Sequence, residues 1–178
     1  MVVATGLTLE DYEQLPDALA LNRELVNGEL IDVSGNTRDH NLVRDYLIEL
    51  LRPYVRAQKL GRVISEREFA FGNDGHGPDV SFYGSEKVER EANTRVQTFV
   101  PDLAVEIAST NDKFDALLLK AEKYLKFGVK EVWILSTQAR KGLIFQGSEL
   151  SALNEQSELS TELIPGFSVR LADLLDNA

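Results

Sequence analysis

Two apolar runs joined by an amphipathic segment constrain this chain more than any other feature. LAVEIA, at 103–108, and EVWIL, at 131–135, have the length and composition of buried strands. Between them Leu117, Leu118, Ala121, Tyr124 and Leu125 repeat at helical spacing, and Gly128 follows as a C′ glycine. The spacing predicts a helix from about Asp112 to Phe127. A strand, a helix and a strand in that order form a right-handed crossover, which sets the two strands parallel in one sheet.

The rest of the chain fits around that unit. Residues 7–15 predict a short helix with Thr8 as N-cap. RELVNGELIDVSG predicts a β-hairpin, because Asn27-Gly28 accepts the positive φ of a two-residue turn. Val26 then faces Glu29 and Glu24 faces Ile31, so Glu24 and Glu29 share one face. Asp39 to Ala57 is the clearest helix, with Asp39 as candidate N-cap and Pro53 kinking or ending its last turn. Residues 62–71 predict one strand, GNDGHGPD a glycine-rich turn, and Val80–Tyr83 a short strand. Residues 86–98 are polar enough for a surface loop. GLIFQG reads as a further strand, and ELIPGFSVRLADLLDNA as a strand or turn leading to a helical tail. The expected fold class is α/β, one domain over 1–178, with a mixed central sheet flanked by helices.

With 178 residues, 43% hydrophobic and 27% charged, the chain can bury a core of its own. No apolar run reaches the roughly 20 residues of a membrane-spanning helix. The start MVVATGLTLEDYEQL lacks the pattern of a secretory signal, so the expectation is a cytoplasmic protein that does not engage membranes. Without cysteine, disulfides and thiolate metal sites are excluded. A net charge of −10 repels polyanions at long range and counts against a general nucleic-acid sleeve. It leaves room for an enzyme that brings divalent cations to a local groove.

Carboxylates in strand-like segments are the candidates for chemistry. Asp102, Ala104, Glu106 and Ala108 line one face of their strand, and Leu103, Val105 and Ile107 the other. A buried carboxylate is costly unless a cation or strong donors compensate. Glu106 is therefore either salt-bridged to a basic side chain at the core edge or part of a site, whereas Asp102 starts the strand and reaches solvent. Asp79, after Pro78, is a turn residue or a second site acid. Lys120 lies at the boundary of its helix's apolar stripe, where it snorkels or bends toward Glu106. Lys113 is a weaker competitor, and Lys123 and Lys126 point to solvent. His40 falls about 50° from the centre of its helix's stripe and so points inward. It is a hydrogen-bonded helix-end histidine or a ligand, whereas His76 in its glycine loop says little. There is no phosphate-cradling glycine loop, nucleophile elbow or histidine pair spaced for metal.

RELVNGEL, RDHNLVRDYLIELLRPY, GPDVSFYG, VPDLAVEIAS, KAEKYLKFGVKEVWIL and IPGFSVRLADLL, in this order and spacing, resemble successive blocks of the Uma-two family across nearly the whole chain. That family is assigned to endonucleases of the PD-(D/E)XK, restriction-endonuclease-like superfamily. The resemblance implies a restriction-endonuclease-like core with an N-terminal β-hairpin extension. It also implies Mg²⁺ or Mn²⁺ held by Asp79, Glu106 and the Ile107 carbonyl. The superfamily's lysine, two residues after the acid, is replaced here by Ala108. The family pattern carries it instead on the next helix, at Lys120. For the acid on the first core helix, this chain offers His40 or Glu49, with Glu24 and Glu29 of the hairpin as further matches. The implied function is metal-dependent hydrolysis of DNA phosphodiester bonds by a homodimer. The competing expectation is a catalytically silent binding or assembly module of the same fold.

Overall fold

The computed structural model describes residues 6–34, 36–109 and 113–178. Its main sheet has six strands: β3 (Gly61–Ser65), β6 (Val80–Gly84), β8 (Leu103–Ala108), β9 (Glu131–Ser136), β10 (Lys141–Gln146) and β11 (Glu149–Leu153). Their order is β11-β10-β9-β8-β6-β3. Only β8 and β9 run parallel within it, and α5 (Phe114–Lys126) connects them. The crossover expected from the apolar runs is therefore present. Asp112 lies outside the described residues.

Opposite faces of β8 feed different cores, as alternation requires. Leu103, Val105 and Ile107 pack with α3 (Arg38–Ala57) and α6 (Leu171–Asp176). Ala104 faces Leu117, Ala121 and Tyr124 of α5 on the other side. A two-stranded ribbon, β12 (Glu158–Ser160) with β13 (Ser168–Arg170), leads into α6.

The hairpin forms as its turn residues demand, with Asn27 at φ 52° and Gly28 at φ 77°. Strand β1 (Arg23–Val26) pairs with β2 (Glu29–Asp32) in the expected register. It is not a free extension. A second, five-stranded sheet runs β2-β1-β5-β4-β7, with β4 (Glu68–Phe71), β5 (Asp74–His76) and β7 (Val96–Gln97). Two short helices, α1 (Leu9–Glu13) and α2 (Asp17–Ala20), pack beside it. Thr8 caps α1 in a reciprocal box with Asp11.

Several expectations change. Residues 62–71 are two strands in different sheets, broken at Glu66, whose φ of 50° turns the chain. The glycine-rich stretch contains β5, hairpinned to β4. Residues 86–98 hold the end of α4 (Ser85–Val88) and β7, with Gln97 buried. Thr37, not Asp39, caps α3, accepting from the His40 amide at 3.3 Å. Pro53 sits inside α3, which continues to Ala57. Asp102 does not reach solvent. It is 4% exposed and accepts from the Gly84 amide at 2.8 Å, with Lys87 at 2.9 Å and Lys130 at 3.0 Å.

Burial opposes ionisation of Asp102, but Lys87, the Gly84 amide and Lys130 outweigh it and hold its pKa below 3.8. A lowered carboxylate pKa stabilises the fold above the unfolded value, and that stability is lost as pH falls through the folded value. Asp102→Asn is therefore expected to cost about 2 kcal/mol at pH 7 in urea unfolding. The gap between variant and wild type should narrow once the pH drops below 3.8; a gap that persists in acid contradicts this assignment.

Candidate metal and nucleic-acid site

The break at Glu66 decides where the site lies. Its amide donates to the carbonyls of Pro78 and Asp79, at 3.2 and 3.4 Å, where the chain returns from the small sheet to the main one. Asp79 thus stands one residue before β6. Because Val80 pairs with Val105, the same register carries Asp79 alongside Glu106 and Ile107. The Ile107 amide donates to Asp79 Oδ2 at 2.6 Å. On the first turn of α3, His40 is 2% exposed, with Nδ1 at 2.7 Å from the Ile107 carbonyl and Nε2 at 3.0 Å from Asp79 Oδ1. The Nε2 contact is an ion pair with Asp79. Burial works against protonating His40, yet Asp79 and the Ile107 carbonyl raise its pKa above the ordinary 6.5.

Lys120 bends inward from α5 to two carboxylates, Glu24 of β1 at 2.9 Å and Glu106 of β8 at 3.1 Å. Both acids are buried, at 7% and 5% exposure. One ammonium cannot neutralise two carboxylates, and the partners decide which acid stays charged. Burial raises the Glu24 pKa, but Lys120 and His76 together pull it down to about 2. His76 Nδ1 is 2.9 Å away and the Gly77 amide donates at 3.0 Å. Glu106 accepts from the Tyr124 hydroxyl at 2.8 Å. Burial, with Asp79 and Glu24 nearby, still carries it up to about 8 against the pull of Lys120. Lys120 itself is held charged well above its usual range, the two glutamates outweighing its burial.

These residues wall one cleft of about 1050 Å³. It brings together Asp79, Glu106, Ile107, Lys120, Glu24 and His40, and Lys113 also lines it. Glu29 sits beside the hairpin turn and is not among the cleft's walls, although it shares a face with Glu24. Glu49 is exposed on α3 away from the cleft. Sequence reasoning missed two supporting groups. His76 is 3% exposed and braces Glu24, and Tyr124, read only as an apolar stripe residue, holds Glu106. Lys123 is not a solvated lysine: it pairs with Asp74 and lies 3.4 Å from His76 Nε2. Period-two alternation in β5 puts Asp74 and His76 on one face, which was the available signal.

A family model described as "Uma2: Putative restriction endonuclease" matches residues 9–173. The chain belongs to the Uma2 family. A crystal structure titled as a putative nuclease belonging to DUF820, from Anabaena variabilis ATCC 29413, superposes with a TM-score of 0.85. It is 18% identical, and the match covers 96% of this chain and 98% of that one, so it shows a shared fold. No curated protein matches the chain. No helix among the described residues is long and apolar enough to cross a membrane.

The donor set of this Uma2 protein fits a hard divalent ion that keeps part of its own hydration. Asp79 Oδ1 lies 3.0 Å from His40 Nε2, next to the Ile107 carbonyl, which accepts from His40 Nδ1 and has a second lone pair. Among the described residues no three His, Asp or Glu side chains are close enough to enclose a metal.

The raised Glu106 pKa has a definite sign. Between pH 4.5 and about 8 the unfolded chain binds fewer protons at this position than the folded one, so metal-free stability falls as pH rises. Glu106→Gln removes that slope. Without metal it should be at least about 1 kcal/mol more stable than wild type at pH 9, with the difference shrinking toward pH 5. Thermal melts across this range check it, and a variant less stable at every pH contradicts it.

Proposed function

We propose that this Uma2 protein is a divalent-metal-dependent endonuclease acting on DNA phosphodiesters. The observation that carries the proposal is the convergence in one cleft of Asp79, just before β6, Glu106 of β8 and Lys120 of α5. Asp79, Glu106 and the Ile107 carbonyl would hold Mg²⁺ or Mn²⁺, ions that prefer oxygen donors. When bound, the ion polarises a phosphate oxygen and lowers the pKa of a coordinated water.

The chain's own residues would do the rest. His40 pins the Ile107 carbonyl through Nδ1 and flanks Asp79, fixing two donors at once. Tyr124 fixes one oxygen of Glu106. Lys120 would leave the carboxylates when phosphate arrives, orient the attacking water and stabilise charge building on the phosphoryl oxygens. Glu24, with His76 behind it, keeps Lys120 charged and close until then. The cleft is walled by eight carboxylates against five Lys and Arg side chains. A polyanion needs added cations to enter such a space, which is a second reason to expect metal dependence.

A non-catalytic assembly module is favoured by one observation, that Lys120 already bridges Glu24 and Glu106. Calorimetric titration with Mn²⁺ separates the two readings. Wild type should bind with release of protons, and Asp79→Ala should bind at least about tenfold more weakly. Lys120→Met should keep Mn²⁺ binding and lower cleavage of DNA by about 10²-fold or more. Equal Mn²⁺ binding by wild type and Asp79→Ala would overturn the metal site.

A homodimer belongs to the same proposal, because paired sites can meet both strands of a duplex. Sedimentation should give twice the 19.9 kDa chain mass, and a monomer mass at high concentration contradicts it.

A further inference from the structure

Behind Glu24 a file of polar side chains runs away from the cleft, between β5 and α5. Asp74 and His76 share one face of β5, and both are buried, at 7% and 3% exposure. Neither is among the cleft's walls. Lys123 leans in from α5, one turn beyond Lys120, where it pairs with Asp74 and reaches His76 Nε2 at 3.4 Å. The other oxygen of Asp74 accepts from the Asn27 amide of the hairpin turn at 2.7 Å. On the far side of the ring, His76 Nδ1 lies 2.9 Å from Glu24 Oε2, while Glu24 Oε1 takes the Gly77 amide and Lys120.

The two ring nitrogens of His76 therefore meet opposite chemistry. A lysine ammonium has N–H donors and no acceptor, so Nε2 is the bare nitrogen that accepts from Lys123. A neutral imidazole with a bare Nε2 carries its hydrogen on Nδ1, where the Glu24 carboxylate accepts it. The reverse tautomer would set an N–H against the ammonium and a lone pair against the carboxylate, two repulsions in a buried space. Aromatic neighbours hold the ring in this orientation. Phe71 lies 5.7 Å from it, and Tyr124 meets it in a T-shape at 5.8 Å.

We propose that Lys123, seated on Asp74, is a positioning residue for Lys120. It holds His76 as the Nδ1–H tautomer, His76 fixes the Glu24 carboxylate, and Glu24 sets where the Lys120 ammonium waits. The effect on cleavage rests on the nuclease reading above, whereas the tautomer does not. Outer partners that fix a histidine tautomer and orient a carboxylate are worth about 10–100-fold in activity at metal sites. Lys120 acts on phosphate only as charge builds there, so an ammonium out of place slows the chemical step without weakening the binding of DNA or metal.

The chain has two histidines, so ¹⁵N spectra of the imidazole rings read His76 directly, with His76→Gln identifying its signals. At neutral pH wild type is expected to show His76 protonated on Nδ1 alone. Lys123→Met leaves the Asp74 carboxylate without its ammonium, and Nε2 should gain a proton in answer. The same variant should lower kcat for Mn²⁺-dependent DNA cleavage by about tenfold, with KM and Mn²⁺ affinity unchanged. Lys123→Ala should do likewise, which covers the case of a methionine that does not fit. Lys123→Arg, which restores a charged donor, should recover the Nδ1–H pattern and most of kcat. Nε2–H on His76 in wild type overturns the inference. So does a His76 pattern that both variants leave as in wild type, since a loss of stability alone marks a purely structural pair. Cleavage with kcat undisturbed in the variants overturns this role and leaves the nuclease reading standing. Wild type that cleaves no DNA overturns that reading and the role with it.

Discussion

One ammonium group between two buried carboxylates holds this architecture at its functional end. Lys120 reaches from α5 to Glu24 in the small sheet and Glu106 in the main sheet, so a single side chain ties three elements together. Removing a charge from a buried cluster leaves its partners uncompensated, an error worth about 3–5 kcal/mol. The neighbouring groups share the load unequally. Glu24 has His76 and an amide in addition to Lys120, whereas Glu106 has only the Tyr124 hydroxyl and faces Asp79. Ionising Glu106 is therefore the least compensated step in the cluster, and a divalent cation there would offset it.

The fold puts this charge at a seam by changing sheets. A left-handed residue at Glu66 sends the chain from β3 in the main sheet into β4 of the small one, and Pro78-Asp79 brings it back. Asp79 emerges beside the β8 backbone, which captures it through the Ile107 amide. Asp102, at the other end of β8, shows the contrasting outcome. Two lysines and an amide satisfy it fully, so it is a structural carboxylate with no vacant role.

The strongest patterns in the sequence were legible in the final structure. The apolar runs at 103–108 and 131–135, the helix between them and the Asn27-Gly28 turn appear where periodicity and turn chemistry put them. Helical phase alone turned His40 inward, whereas it left Lys120 at the edge of its stripe, and strand alternation left Glu106 open between a salt bridge and a site. What stayed hidden depends on distant partners. The break at Glu66 carries no glycine or proline, and β5 is three residues long within a glycine-rich stretch, so neither announces a change of sheet. His76, Tyr124 and Lys123 acquire their roles only once the small sheet folds against α5. Glu29 has the right face but the wrong distance along the hairpin.

The central claim is that Asp79 and Glu106 are meant to share a cation. A crystal soaked in Mn²⁺ and measured for manganese anomalous scattering tests it most directly. The account predicts a peak between these carboxylates beside the Ile107 carbonyl, with Glu106 drawn off Lys120. An empty map at saturating Mn²⁺, with Glu106 still closed on Lys120, would contradict it.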